Sequence, residues 1–226
     1  MSTLAHVFEE AGLATLVLSS NLSVVERMHP PRALHCEFPL GRPLGKPGDV
    51  AFQRDVLERA FGLLDASAPV LEVHPETIEA DETPMACSLP PRFDPNLPAA
   101  VDEAQGLRSA YDRAAEKRGF TSVGRVITAD QVPEALAVLH GWAEGEQWKD
   151  NPLPDPNPIA VCHDIRTYYE EAGLELVDGP PPGGRAAEAW FHESTEAGKT
   201  VLAARAAIKE AGAPFPMWFY MTPGHR

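Results

Sequence analysis

Cysteine is scarce in these 226 residues. Cys36, Cys87 and Cys162 are odd in number, scattered, and never paired as CxxC. That excludes a disulfide framework and a cysteine-rich zinc site, and it fits a reducing, cytoplasmic compartment. No apolar run reaches the ~20 residues a membrane-spanning helix needs. The first twenty residues lack a basic start and carry Glu9 and Glu10, unlike a signal peptide. Positive charge is also short, with 19 Lys and Arg against 33 Asp and Glu and a net charge of −14. With no basic cluster to offset that balance, neither nucleic acid nor an anionic lipid surface is an expected partner. Several motifs are missing as well: GxGxxG, a P-loop, GxSxG and HExxH. There is no internal repeat and no low-complexity tail.

What the chain does have is ordinary globular composition, 44% hydrophobic and 23% charged, and an excess of proline. The 23 prolines are about twice the usual share. They cluster at 30–47, 84–98 and 152–158, which read as loops between packed units. Leu4 to Gly12 predicts the end of a helix closed by glycine. Ala14–Ser19 and Ala33–Phe38 predict buried strands, separated by a short helix that Ser23 caps and Pro31 ends. Asp49 is the expected N-cap of a helix over Val50–Leu64, and Val70–Val73 can add a strand. This order is the grammar of an open parallel sheet. Beyond it, Ala100–Lys117, Val132–Trp142, Ile159–Leu176 and Arg185–Ala211 predict helices. Thr121–Thr128 is ambiguous, and the tail from Pro214 is too broken by proline for a helix. The expected fold is therefore α/β: a short parallel sheet, a Rossmann-like half, at the N-terminus and a mainly α-helical C-terminal half. The expected organisation is an α/β unit over 1–80, a proline-rich surface linker over 81–99, and a helical unit with an aromatic tail over 100–226.

The loop from Pro39 to Asp49 lies after a strand and before a helix. Ligands bind at such places in parallel sheets. Gly41 and Gly45 would allow close backbone approach, Arg42 and Lys46 would attract an anion, and Arg32 and Asp49 flank the loop. The alternative is that these glycines and prolines only turn the chain. Cys36 beside His35 could be an activated thiol, but neighbours on a strand face opposite ways, and a small buried apolar residue is the blander reading. His35 and Cys36 are the weak catalytic candidates. Cys162, His163 and Asp164 are consecutive on a helix, about 100° apart, and do not converge on one ion. His140, His163 and His192 fall on three different predicted helices. No metal site is expected. The aromatic tail, Phe215 and Trp218 to Tyr220, is expected to pack on the helical half or on a partner chain.

The segments EEAGLATLVL and PPRALHCEFPLGRPLGKPGDVAFQRDVLERAFGLL, within residues 7–64, resemble selenoprotein B of the glycine/betaine/sarcosine/D-proline reductase family. The D-proline reductase selenoprotein is the nearest shape. Matching positions include Glu10, Gly12, Thr15, Pro31, Arg32, Gly41, Gly45, Pro47 and Gln53. The rest of the chain does not share the pattern. In the family, a selenocysteine or cysteine followed by Gly-x-Cys lies roughly one helix upstream and attacks the substrate carbon. The residues before Val7 hold no cysteine, so that nucleophile is not carried over: it lies on another polypeptide, the fold is reused without the chemistry, or the start here is internal to a longer sequence. The resemblance implies an oxidoreductase component acting on a small amine or amino-acid-like substrate. It would work as a homo-oligomer or with a partner subunit carrying the redox motif, and with a thioredoxin-type protein as electron donor; no cofactor is implied. A non-catalytic binding or assembly module that keeps the fold without the chemistry is the alternative.

Overall fold

A computed structural model describes residues 2–39, 41–79, 83–179 and 181–226. The chain divides into two compact units, residues 1–81 and 82–226. The boundary read from sequence at 80/81 falls on residues outside the described set.

The first unit runs α1 (Ser2–Glu10), β1 (Val17–Ser19), α2 (Leu22–Met28), β2 (Arg32–His35), α3 (Val50–Gly62) and β3 (Val70–Val73), with a 3-10 turn at Leu63–Asp65. The strands are parallel in the order β1-β2-β3, with Val17, Ala33 and Leu71 in register. Parallel register sends alternate residues to opposite faces. Val17 and Ala33 pack with Ala5 and Val25 on one face. Leu34 packs on the other with Phe52, Val56 and Ala60 of α3, in a cluster that Cys36 and Phe38 extend beyond β2.

Both early strands are shorter than their apolar runs. Residues 14–16 leave the sheet because the Glu9 carboxylate takes the Thr15 N–H at 2.5 Å and its hydroxyl at 3.0 Å. After Cys36 the chain turns, with Phe38 N donating to Cys36 O at 2.8 Å. The cap of α2 is Asn21, whose side chain accepts from Val24 N, and not Ser23. Ser23 instead donates its hydroxyl to Asn21 Oδ1. The helix ends where His29 turns left-handed, at φ 43°, before Pro30 and Pro31.

The second unit is a bundle of α4 (Ala99–Arg118), α5 (Val132–Ala143), α6 (Pro158–Leu176), α7 (Gly184–Ser194), α8 (Glu196–Glu210) and the short α9 (Phe215–Phe219). Helix α6 packs on α4, and α5 packs on α8. Tyr168 and Tyr169 of α6 are buried, and their hydroxyls donate to Ala104 O and Ala100 O of α4. The segment at 121–127 is a loop held by two carboxylates of α6. Asp164, 2% exposed, accepts from the N–H groups of Gly124, Arg125, Val126 and Ile127 at 2.8–3.3 Å. Glu171 accepts from Thr121 Oγ1 and Ser122 N and pairs with Arg118.

Three expectations change here. The helix expected over 185–211 breaks at Thr195, whose hydroxyl donates to Phe191 O and accepts from Gly198 N. Gly198 permits that crossing, since a Cβ there would lie 1.9 Å from Phe191 O. The tail forms a helical turn after all, because Pro216 sits in its first turn, where a missing N–H costs nothing. Finally, 83–98 runs largely over the surface as expected, but it belongs to the helical unit and does not stand apart as a linker. Met85 is buried, Cys87 bridges to Val177, and Asp102 accepts from Phe93 N and Asp94 N.

Candidate functional site

The loop between β2 and α3 folds over the carboxyl ends of β1 and β2. A cavity of about 130 Å³ lies there, bordered by Ser19, Ser20, Cys36, Phe38, Gly41 and Arg42. Its geometry follows from local bonds. Cys36 N donates to Ser19 O at 2.9 Å, continuing the β1–β2 ladder one residue past β2. Arg42 N donates to Pro39 O, and Gly45 N to Arg42 O, in consecutive turns. Gly41 sits at φ 85°, a left-handed conformation that glycine reaches without strain. Among the described residues, the Arg42 side chain has no hydrogen bond or ion pair, so its charge is available to a ligand.

Of the residues singled out from sequence, Cys36, Gly41 and Arg42 come together at this cavity. His35 lies beside it, buried, with its Nδ1–H donating to Ser19 O at 3.0 Å. That bond fixes the tautomer and leaves Nε2 as the acceptor. The others have structural partners. Arg32 clamps α1 to the end of the 3-10 turn that follows α3, through Glu9 at 2.8 Å and Ala66 O at 3.1 Å. Gly45 is a packing position, since a Cβ would meet Phe52 at 2.4 Å and Ile78 at 2.6 Å. Lys46 pairs with Glu76 at 3.0 Å and lies over the Phe52 ring. Asp49 caps α3 by accepting from Phe52 N at 3.0 Å.

Burial pushes the Cys36 thiol up to about 11 and that of Cys162 up to about 12, and it raises Cys87 as well. A thiolate is the reactive form, so burial makes these groups poor nucleophiles. Among the described residues no group of three or more His, Cys, Asp or Glu side chains is placed to share a metal ion.

The helical unit holds a larger cavity, about 410 Å³, that the sequence did not point to. One face of α6 supplies Ile159, Cys162, His163 and Arg166; α7 supplies Phe191 and His192; the tail supplies residues 219–224. His163 and His192, read as unrelated, meet at this one cavity, whereas His140 does not border it. Burial is the main cause lowering the pKa of both histidines, and Arg166 adds to it. The sequence signal was the spacing of Ile159, Cys162, His163 and Arg166, which falls on one helix face. Nothing local showed that α7 and the tail would close against that face. The tail is held by Arg205, which donates to Trp218 O and Arg226 O, and by Arg226, which pairs with Glu188 and Glu193.

Comparison of the chain with protein-family models, with curated proteins and with solved structures finds no match in any of the three. Among the described residues no helix is long and apolar enough to cross a membrane.

Proposed function

We propose that this chain is a selenoprotein-B-like component of a reductase system, acting on a small amine or amino-acid-like substrate, and that it contributes a ligand-facing sheet end while the redox nucleophile comes from another polypeptide. The observation that carries this reading is the cavity at the ends of β1 and β2, where Gly41 and Arg42 lie beside Cys36. Open parallel sheets take ligands at this place. A guanidinium without an internal partner suits the carboxylate of an amino-acid-like molecule. The Cys36 thiol in the same cavity, pushed up to about 11, stays protonated at cellular pH. Attack on a substrate carbon then needs a thiolate or selenolate from a partner subunit, with a thioredoxin-type protein returning the electrons.

The second reading, a binding or assembly module without redox chemistry, is favoured by the fact that all three thiols are raised and none is activated. Purification from the native source under reducing conditions, followed by light scattering and identification of retained proteins, separates the two. The first reading expects a complex with a chain bearing Cys- or Sec-Gly-x-Cys, burying well over ~1,000 Å². A lone monomer at micromolar concentration would leave the binding module and remove the split reductase.

A further inference from the structure

The cavity of the helical unit belongs to a different unit from the sheet-end site and has its own chemistry. At about 410 Å³ it falls within the range of small-molecule sites, roughly 300–1,000 Å³. Its walls are largely apolar, with Ile159, Phe191 and Met221 prominent. The few polar groups are incompletely bonded. Arg166 Nε is closed to solvent and has no hydrogen-bond partner among the described residues. Glu170 Oε1 lies 3.3 Å from it, within ion-pair reach but not aligned as an acceptor. Thr222 is buried, and its hydroxyl has a marginal contact, 3.5 Å, with Pro223 O. His192 donates Nδ1–H to Glu188 O at 2.9 Å, which leaves Nε2 as a lone pair.

The Arg166 side chain as a whole is 30% exposed, but its closed Nε lacks an aligned acceptor, and buried donors are normally satisfied. No Asp or Glu borders the cavity among its described lining residues. Nearby Glu188 is already met by Arg226 at 3.1 Å and His225 at 3.2 Å. Arg166 carries Glu170 as counter-charge on its Nε side and borders the cavity; a cation there would meet a like charge, and a wholly apolar molecule would add no partner. A bare, strongly hydrated anion would gain nothing from the apolar wall. We propose that this cavity binds a small carboxylate with a compact apolar body, of the size of benzoate, its carboxylate on Arg166 and its body against Ile159, Phe191 and Met221. This site is additional to the sheet-end function proposed above and does not depend on it.

The test is calorimetry of the full chain with benzoate, benzyl alcohol and inorganic phosphate, each carried to about 10 mM. Methyl-carbon labelling of methionine reports the location, because Met221 borders the cavity and Met28 lies in the other unit. The expected result is one saturable benzoate site per chain that moves the Met221 methyl signal and not that of Met28. Benzyl alcohol and phosphate should each bind at least ~10-fold more weakly, the weight of a lost charge-assisted contact. Arg166→Gln should weaken benzoate by ~10-fold or more and leave benzyl alcohol unchanged. Should that variant fail to fold, the wild-type ligand series and the Met221 signal decide the matter. Absence of saturable benzoate binding, phosphate or benzyl alcohol binding as well as benzoate, an unmoved Met221 signal, or equal benzoate affinity in folded Arg166→Gln would each overturn the proposal.

Discussion

The α/β unit and the helical unit build their cavities by different means. In the first, a parallel sheet ends, a loop turns over it, and the cavity lies where chain topology puts it; its lining comes from residues 18–43. In the second, one face of α6, the end of α7 and the tail converge, and the lining is drawn from residues 159–224. The polar groups differ in the same way. Around the sheet end, Lys46, Asp49 and Arg32 are taken up by caps and clamps, leaving Arg42 at the cavity. In the helical unit, the buried carboxylates Asp164 and Glu171 hold a loop in place and Arg166 is left incompletely bonded at the cavity. A cavity made by topology announces itself in local sequence, and a cavity made by packing does not.

The largest effect that could break this comparison lies in the helical unit. Asp164→Ala removes the acceptor of four loop N–H groups. It should cost about 3 kcal/mol, since bonds to a charged acceptor are lost and the Ile127 N–H is left buried without a partner. Urea denaturation followed by hydrogen exchange should show the loss in residues 99–219 while β1 to β3 keep their protection. Equal loss in both units would mean that they do not unfold separately.

A smaller contrast sharpens the account inside the α/β unit. Arg32→Ala should cost about 1–2 kcal/mol, because the ion pair to Glu9 and the bond to Ala66 O are part-buried. Arg42→Ala should change stability by less than about 0.5 kcal/mol, as expected of a side chain without partners among the described residues. A cost for Arg42→Ala equal to that for Arg32→Ala would show that the loop arginine is structural and weaken its role at the cavity.

The smallest effect concerns pH. His163 and His192 are held below their ordinary value of 6.5, mainly by burial. The unfolded chain therefore takes up these protons first. Their contribution to stability is present above pH 6.5 and is lost as the pH falls through the window beneath it. Glu103 and Glu170 are raised above 4.5 by burial, so their contribution runs the other way and is lost as the pH rises through their folded values. Melting curves through this range, in wild type and in the His163→Gln, His192→Gln double variant, isolate the histidines. The variant should show a shallower loss on acidification, and an unchanged slope would remove them as the cause.

Much of the α/β unit was legible because its signals are local. Asp49 caps α3 as its position suggested, and Pro31 and the left-handed His29 mark the break before β2. The strand ends were not legible, because Glu9 on α1 claims Thr15, and apolar alternation carries no trace of that bond. The break at Thr195 escaped for a related reason. Thr195 and Gly198 both fit an amphipathic pattern, and what stops the helix is the approach of Gly198 to Phe191 O. At the candidate site, Cys36, Gly41 and Arg42 could be found from sequence, whereas the partners of Arg32 and Lys46, Glu9 and Glu76, could not. The helical cavity was least legible. His163 was dismissed because its chain neighbours diverge, yet it borders one cavity with His192 and the tail.

The central claim is that the thiol at the sheet-end cavity is not a nucleophile. Alkylation of Cys36 in the folded chain, followed by peptide mass spectrometry across a pH series, tests it most directly. A thiol moved from 9.0 to about 11 should react at neutral pH on the order of 100-fold more slowly than in the unfolded chain, in proportion to its thiolate fraction. Its rate should still be climbing beyond pH 9. Reaction faster than in the unfolded chain, with an inflection well below 9, would place an activated cysteine on this polypeptide and contradict the account.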